Sequence, residues 1–171
     1  MLRVTRIIFL MVLALFVLQQ AVWATGTAGS ASTLVLTQAE VEDLIKQMDK
    51  AIDEKSIEII DPLLYDELKV TLKNVPQADG KTLNMEMTKN QYLAMAKQTW
   101  ATAKSYEYRR TDLQIDVAKD GKSATVSAIV HEKVVMPEQA LESKTREVMT
   151  VEKRDGKVVA TALEGEVLEM K

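Results

Sequence analysis

From residue 37 to residue 53 the apolar positions recur at steps of three and four. Val41, Leu44, Ile45, Met48 and Ile52 make one stripe, and Glu42, Asp43, Lys46, Gln47 and Asp49 cover the other side. That is the period of an amphipathic helix with one face in a core. Thr37-Gln38-Ala39-Glu40 supplies its start as a capping box, in which the Thr hydroxyl accepts from the N3 amide and the Glu carboxylate reaches back to the cap. A second, short helix is predicted over 56–61, capped by Ser56 and stopped by Pro62.

The period then changes to two. Leu68, Val70 and Leu72 alternate with Lys69, Thr71 and Lys73, and after a loop at 74–80 Leu83, Met85 and Met87 alternate in a shorter run; both read as half-buried strands. A second capping box, Thr88-Lys89-Asn90-Gln91, opens a helix to about residue 103 whose stripe is Tyr92, Met95, Ala96, Thr99 and Trp100. Four more strands are predicted over 106–117, 124–136, 145–153 and 158–168. Asp120-Gly121 and Asp155-Gly156 are tight hairpin turns. In the first of these strands Leu113, Ile115 and Val117 share a face, with Asp112 and Asp116 opposite. The order is α-α-β-β-α-β-β-β-β, an α+β domain.

That order resembles the nuclear transport factor 2-like superfamily, also called cystatin-like or cone-shaped α+β. The local phrases that carry the resemblance are Met87-Thr88-Lys89-Asn90-Gln91-Tyr92 at the third helix, Asp120-Gly121-Lys122-Ser123-Ala124-Thr125-Val126 at one hairpin and Val151-Glu152-Lys153-Arg154-Asp155-Gly156-Lys157-Val158 at the other. It covers nearly all of residues 37–168. It implies a strongly curved antiparallel sheet wrapped around the long first helix, with a pocket at the open end of the cone. It implies no single activity: the superfamily holds ketosteroid isomerases, scytalone dehydratases and polyketide cyclases beside non-catalytic secretion-machine domains and dimerisation modules.

The first 24 residues have a different character. Arg3 and Arg6 precede an unbroken apolar run at 7–18, Gln19 and Gln20 end it, and Val22 and Ala24 fit the −3 and −1 positions of a cleavage site. A charged start, a short apolar core and a small-residue exit predict a secretory signal peptide cut after Ala24, hence a periplasmic or secreted protein. Twelve apolar residues fall short of the roughly 20 that span a bilayer; a retained anchor is the alternative. The expected organisation is a signal peptide at 1–24, a flexible Thr/Gly/Ala/Ser-rich lead-in at 25–36 and one domain at 37–171.

Composition narrows the chemistry. The chain has no Cys and one His, which removes thiol chemistry, disulfides, lipidation and any multi-histidine metal site within one chain; no cofactor and no metal are expected. Loss of the leader, with its two arginines and no acid, takes the net charge from −3 to −5, a poor match to nucleic acid. The membrane is a partner only if the leader is retained.

His131 stands out because it is unique. Alternation sets it with Ser127 and Ile129, opposite Val126, Ala128 and Val130, so that it is either a base at the cone mouth or, on the small-residue argument, a side chain of the outer sheet face. Glu132 falls in register with Val130 and can point inward as a carboxylate base; Tyr65, Tyr106 and Tyr108 can supply a phenol. Tyr92, Met95 and Trp100 are either core or the wall of an apolar ligand pocket. Tyr106, Tyr108 and Arg110 lie in a strand of alternating charges and aromatics, expected on an exposed face that is either a homodimer interface or simply solvated. The leading expectation is an exported, non-catalytic binding or assembly domain acting through its sheet face or a small apolar pocket. Two alternatives stand beside it: an isomerase-, dehydratase- or cyclase-like enzyme acting on a small apolar ketone or lactone, with Glu132 or His131 as base, and a membrane-tethered envelope or secretion-complex component.

Overall fold

The computed structural model describes residues 35–77 and 79–171. The leader, the cleavage site at Ala24 and the lead-in up to residue 34 lie outside the described residues. Helix α1 (Gln38–Asp53) starts at Thr37 with both arms of the capping box formed. It buries Val41, Leu44, Ile45, Met48, Ala51 and Ile52, the apolar stripe read from the sequence plus Ala51. Leu36, expected in a flexible lead-in, is a core residue at 2% exposure. It precedes the cap and Val41 follows four positions inside it, the spacing of a hydrophobic staple. Its amide donates to Gly121 O at 2.8 Å, and Lys153 Nζ donates to Val35 O at 3.0 Å, so two hairpin ends hold the entry to α1.

Helix α2 (Ile57–Ile60), capped by Ser56 as expected, continues into a 3-10 turn at Asp61–Leu63. Pro62 lies inside that turn rather than ending the helical path; at the first positions of a turn the missing N–H and fixed φ of proline cost nothing. Then come β1 (Leu64–Pro76), β2 (Thr82–Thr88), α3 (Lys89–Thr102), β3 (Ser105–Val117), β4 (Ser123–Val135), β5 (Ala140–Arg154) and β6 (Lys157–Met170).

The six strands form one curled sheet in the order β2-β1-β6-β5-β4-β3. Four pairings are antiparallel, but β1 runs parallel to β6, so the sheet is mixed rather than wholly antiparallel. Hairpin turns fix direction only between neighbours in sequence. The β1–β2 hairpin is joined to the β3–β6 meander through α3 alone, and a connection of that length permits a parallel pairing inside the sheet.

Register divides the concave face into two zones. In the first, Val117, Ala124, Val151, Ala160 and Leu64 lie in one cross-strand row and Ile115, Val126, Met149, Leu163 and Val70 in the next. These belong to the apolar core under α1 or pack against it. Further along the strands, towards Ser105, the rows become polar: Ala128, Glu147 and Gly165; then Arg110, Val130, Thr145 and Val167; then Tyr108, Glu132, Ser143 and Met170. At Gly165 a Cβ would come within 2.8 Å of Leu72 Cδ2, so Leu72 occupies the space a side chain would need.

A β-bulge in β3 sets which residues join these rows. The β3–β4 register slips between Thr111 and Gln114, where Asp112 takes φ 53°. One extra residue reverses the alternation. Even-numbered Tyr106, Tyr108 and Arg110 face the cone before the bulge, and odd-numbered Ile115 and Val117 face it afterwards. Leu113, in the bulge, is 44% exposed instead of sharing the buried face of Ile115.

Candidate functional site

The polar rows form a cluster past the buried stretch of α1. Val130, 4% exposed, fixes the inward parity of β4 and thereby turns Glu132 into the cone, as its register with Val130 predicts. The Tyr106 phenol, one row away on β3, donates to Glu132 Oε1. Burial pushes the Glu132 carboxyl above the ordinary glutamate range, with the Tyr106 hydrogen bond pulling the other way and the Glu147 charge adding to the rise. Burial likewise raises the phenols of Tyr92, Tyr106 and Tyr108, so all three remain protonated donors at neutral pH.

Beside this pair, Arg110 bridges three elements. Nη1 donates to Asp49 Oδ1 at the end of α1, and Nη2 donates to Glu147 Oε1 on β5 at 3.0 Å. Its side chain is 4% exposed, and the guanidinium carbon lies 5.6 Å from the centroid of the Tyr108 ring. Burial raises the Asp49 carboxyl against the opposing pull of Arg110. The carboxylates of Asp49 and Glu147 thus flank one guanidinium, and Glu132 lies in the next cross-strand row. Tyr108 Oη and Arg110 Nε are buried and have no hydrogen-bond partner among the described residues.

Helix α3 roofs the cluster. Its inward side centres on Lys89, Leu93, Ala96 and Trp100. Trp100 packs its ring edge-on to Tyr106, with centroids 6.4 Å apart at 73°. Tyr92 and Trp100 pack against the core. Met95, expected with them, is 37% exposed, because it lies on the flank of the helix away from that centre. Lys89 anchors the helix start: its buried ammonium contacts Asp61 at 2.8 Å and Asp66 at 3.0 Å and donates to Leu64 O at 2.8 Å.

The expectation that Tyr106, Tyr108 and Arg110 form an outward interface is corrected by the bulge, which turns all three into the cone. His131 lies on the outer face, as the alternation predicts, with Arg109 and Lys144 as its cross-strand neighbours. Asp49 and Glu147 are the site residues that sequence reasoning missed. Glu147 carried a signal, since it alternates in phase with the buried Met149 and Val151. Asp49 carried none beyond its place on the helix flank beside Met48.

Two grooves are open to solvent. One, of about 350 Å³, lies between α1 and the bulge and is lined by Gln38, Glu42, Ile45, Lys46, Asp49, Leu113 and Ile115. The other, of about 590 Å³, follows β1 and β2 past Leu68, Val70, Met87 and Gln91. Glu132 and Tyr106 line neither; the first reaches Asp49, one of the two carboxylates holding Arg110. Among the described residues no group of three or more His, Asp or Glu side chains is placed to hold a metal ion, and no helix is long and apolar enough to cross a membrane.

No family model matches the chain, and no curated protein matches it in sequence. Solved structures match it in shape. A nuclear transport factor 2-like protein from Cytophaga hutchinsonii is 20% identical with a TM-score of 0.60, over 78% of this chain and 100% of that one. The hexachlorocyclohexane dehydrochlorinase LinA-type3 from Novosphingobium barchaimii is 14% identical with a TM-score of 0.60, over 78% and 88%. A candidate scytalone dehydratase from Novosphingobium aromaticivorans is 14% identical with a TM-score of 0.61, over 78% and 85%. The chain has the nuclear transport factor 2-like fold, as its element order implied; at these identities the likeness is one of fold.

Proposed function

We propose that the polar end of the cone is an acid–base site and that the protein is an isomerase- or dehydratase-like enzyme acting on a small apolar ketone or lactone, with Glu132 as the general base. The observation that carries this is the Glu132 carboxyl held by Tyr106 on the concave face, with its proton affinity raised by burial. A carboxylate of raised proton affinity is a better base towards a C–H next to a carbonyl and returns the proton to a neighbouring carbon. Val134, Leu141 and Met170 sit at this end of the strands by register, Trp100 packs beside Tyr106, and the four supply apolar surface for the substrate body. His131 is not favoured as the base, because it lies on the outer face between Arg109 and Lys144. Two of the structural neighbours are named as a dehydrochlorinase and a candidate dehydratase, in keeping with a proton-abstracting site on this fold.

The leader supports export, so the reaction takes place in the periplasm or outside the cell. The outer sheet face supports a homodimer. Arg109, His131 and Lys144 stand in one row across β3–β5, and Glu164, Glu166 and Glu169 on β6, which pair within the chain with Lys73, Arg146 and Lys171, can exchange those partners for the basic row of a second copy in a two-fold packing. Sedimentation at low and high salt tests this: a dimer that loosens with salt is expected, and a monomer at both contradicts it.

The catalytic reading is tested by proton exchange. Deuterium uptake at the α-carbon of a small apolar ketone, followed by proton NMR in heavy water, is expected with the wild type. Glu132→Gln is expected to reduce it by about 10²-fold or more. Equal rates in the two proteins, or no uptake by the wild type, contradict the proposal.

A further inference from the structure

Tyr106 holds Glu132 from the β3 side, through Oε1. One such bond leaves a carboxylate on a three-torsion side chain able to turn about the contact. On the other flank stands Ser143, directly opposite Glu132 in the β4–β5 ladder. Residues directly opposite one another project to the same face, so the Ser143 hydroxyl enters the cone beside the carboxylate. Thr145, two positions on and in the same phase, lies on that face too, with its Cγ2 3.3 Å from where a Gly165 Cβ would stand. The β5–β6 ladder slips between Lys144 and Thr145, but the β4–β5 ladder is unbroken from Ser123 to Val135. The slip therefore does not turn Ser143 away from Glu132. Burial raises the Glu132 carboxyl, and hydrogen bonds from Tyr106 and from Ser143 both oppose that rise.

We propose that Ser143 is a positioning residue for Glu132: its hydroxyl and the Tyr106 phenol clamp the carboxylate from the two flanking strands and aim its remaining lone pairs into the cone. The inference rests on the reading of Glu132 as the base, while the clamp itself requires no turnover. A hydroxyl suits a group that gains and loses a proton, since it donates to a carboxylate and accepts from a carboxylic acid. A lysine or arginine at the same place would favour the charged carboxylate more strongly and so weaken it as a base. An alanine would leave it pinned on one side only. A base held in one orientation avoids the loss of rate that misalignment brings. Ser143 acts through Glu132 and is not itself a proton carrier.

The test compares Ser143→Ala with Ser143→Thr, which returns the hydroxyl on a side chain suited to a strand. Carbon-13 NMR follows the Glu132 carboxyl of the full chain as the pH is raised. The midpoint is expected to move up in Ser143→Ala, to return towards the wild type in Ser143→Thr, and to stand highest in Tyr106→Phe combined with Ser143→Ala. A serine that only fills space moves the unfolding midpoint of Ser143→Ala and leaves the Glu132 titration where it was. Deuterium uptake by acetophenone, at a pH above all the measured midpoints, is expected to be about three- to tenfold slower in Ser143→Ala. The ketone concentration for half-maximal rate stays unchanged, and Ser143→Thr recovers the rate. An unmoved or lowered Glu132 midpoint in Ser143→Ala, or the same midpoint in Ser143→Thr as in Ser143→Ala, overturns the clamp. Equal uptake rates with wild type and Ser143→Ala overturn its positioning role. The two readings fail separately. If the midpoints respond as expected and no protein exchanges the ketone, the clamp stands and the enzyme reading falls. If the wild type exchanges it and the midpoint ignores Ser143→Ala, only the clamp falls.

Discussion

Tyr106 donates its phenol proton to Glu132 across two neighbouring strands, inside the cone and beneath the edge of Trp100. A buried carboxyl depends on such a donor. Tyr106→Phe leaves the ring packing in place and removes the bond, at an expected cost of about 1.5–3 kcal/mol at pH 7, the range for hydrogen bonds to charged groups. The cost shrinks in acid, where Glu132 is protonated. Urea unfolding of both proteins at pH 7 and pH 4 checks this; an equal loss at both pH values contradicts a charged acceptor.

Arg110 links α1, β3 and β5 through Asp49 and Glu147. Arg110→Met keeps much of the apolar stem and strands two carboxylates with no guanidinium between them. Arg110 is buried but Asp49 and Glu147 are 38% and 25% exposed, so breaking the pair costs about 1–3 kcal/mol, less than for a fully buried one. The deficit is expected at neutral pH and falls on acidification, because Asp49, already raised by burial, loses the cation that opposes the rise and protonates earlier. Chemical denaturation at pH 7 and pH 4.5 measures both effects; a pH-independent loss contradicts the assignment.

The bulge at Asp112 is the local feature with the widest consequence. A non-glycine residue at φ 53° carries backbone strain that glycine does not. Asp112→Gly is expected to stabilise the protein by about 0.5–1 kcal/mol and Asp112→Val to destabilise it by at least as much. Urea midpoints of the two variants decide; a loss in Asp112→Gly shows that the Asp side chain itself holds the bulge.

That bulge also marks the boundary of what the chain reveals unaided. Caps and turns are local chemistry, so Thr37, Thr88, Asp120-Gly121 and Asp155-Gly156 located the helices and hairpins correctly. Glu132 was legible as an inward carboxylate because β4 keeps its alternation unbroken from Ala124 through Val130. The alternation of charges and aromatics around Tyr106, Tyr108 and Arg110 reads as an exposed face, and the one-residue insertion that turns them inward leaves no reliable mark in the pattern. The parallel pairing of β1 with β6 and the arrival of Asp49 at Arg110 both depend on how distant segments dock, which no local period encodes.

At the other end of the cone, Glu40 closes the first capping box and pairs with Lys153 at 2.8 Å. The Lys153 hydrogen bond first, and then those from Thr37, hold its carboxyl down at about 2 against an ordinary 4.5. A folded value below the unfolded one means that the unfolded chain takes up the proton first. The stabilisation is therefore complete above about 4.5 and is lost as the pH falls towards 2. Glu132 and Asp49, raised by burial, act in the opposite sense: what they contribute is present in acid and is lost as the pH rises through their elevated values. Melting temperature against pH is expected to fall less steeply below pH 4.5 in Glu40→Gln than in the wild type, and parallel curves contradict this.

Glu132, the proposed base, is a buried carboxyl. Its carboxyl carbon can be followed by carbon-13 NMR as the pH is raised through the acid range. A midpoint above the ordinary glutamate value is expected, moving higher still in Tyr106→Phe, where the hydrogen bond that opposes burial is gone. A midpoint at or below the ordinary value, or one that does not respond to Tyr106→Phe, contradicts it.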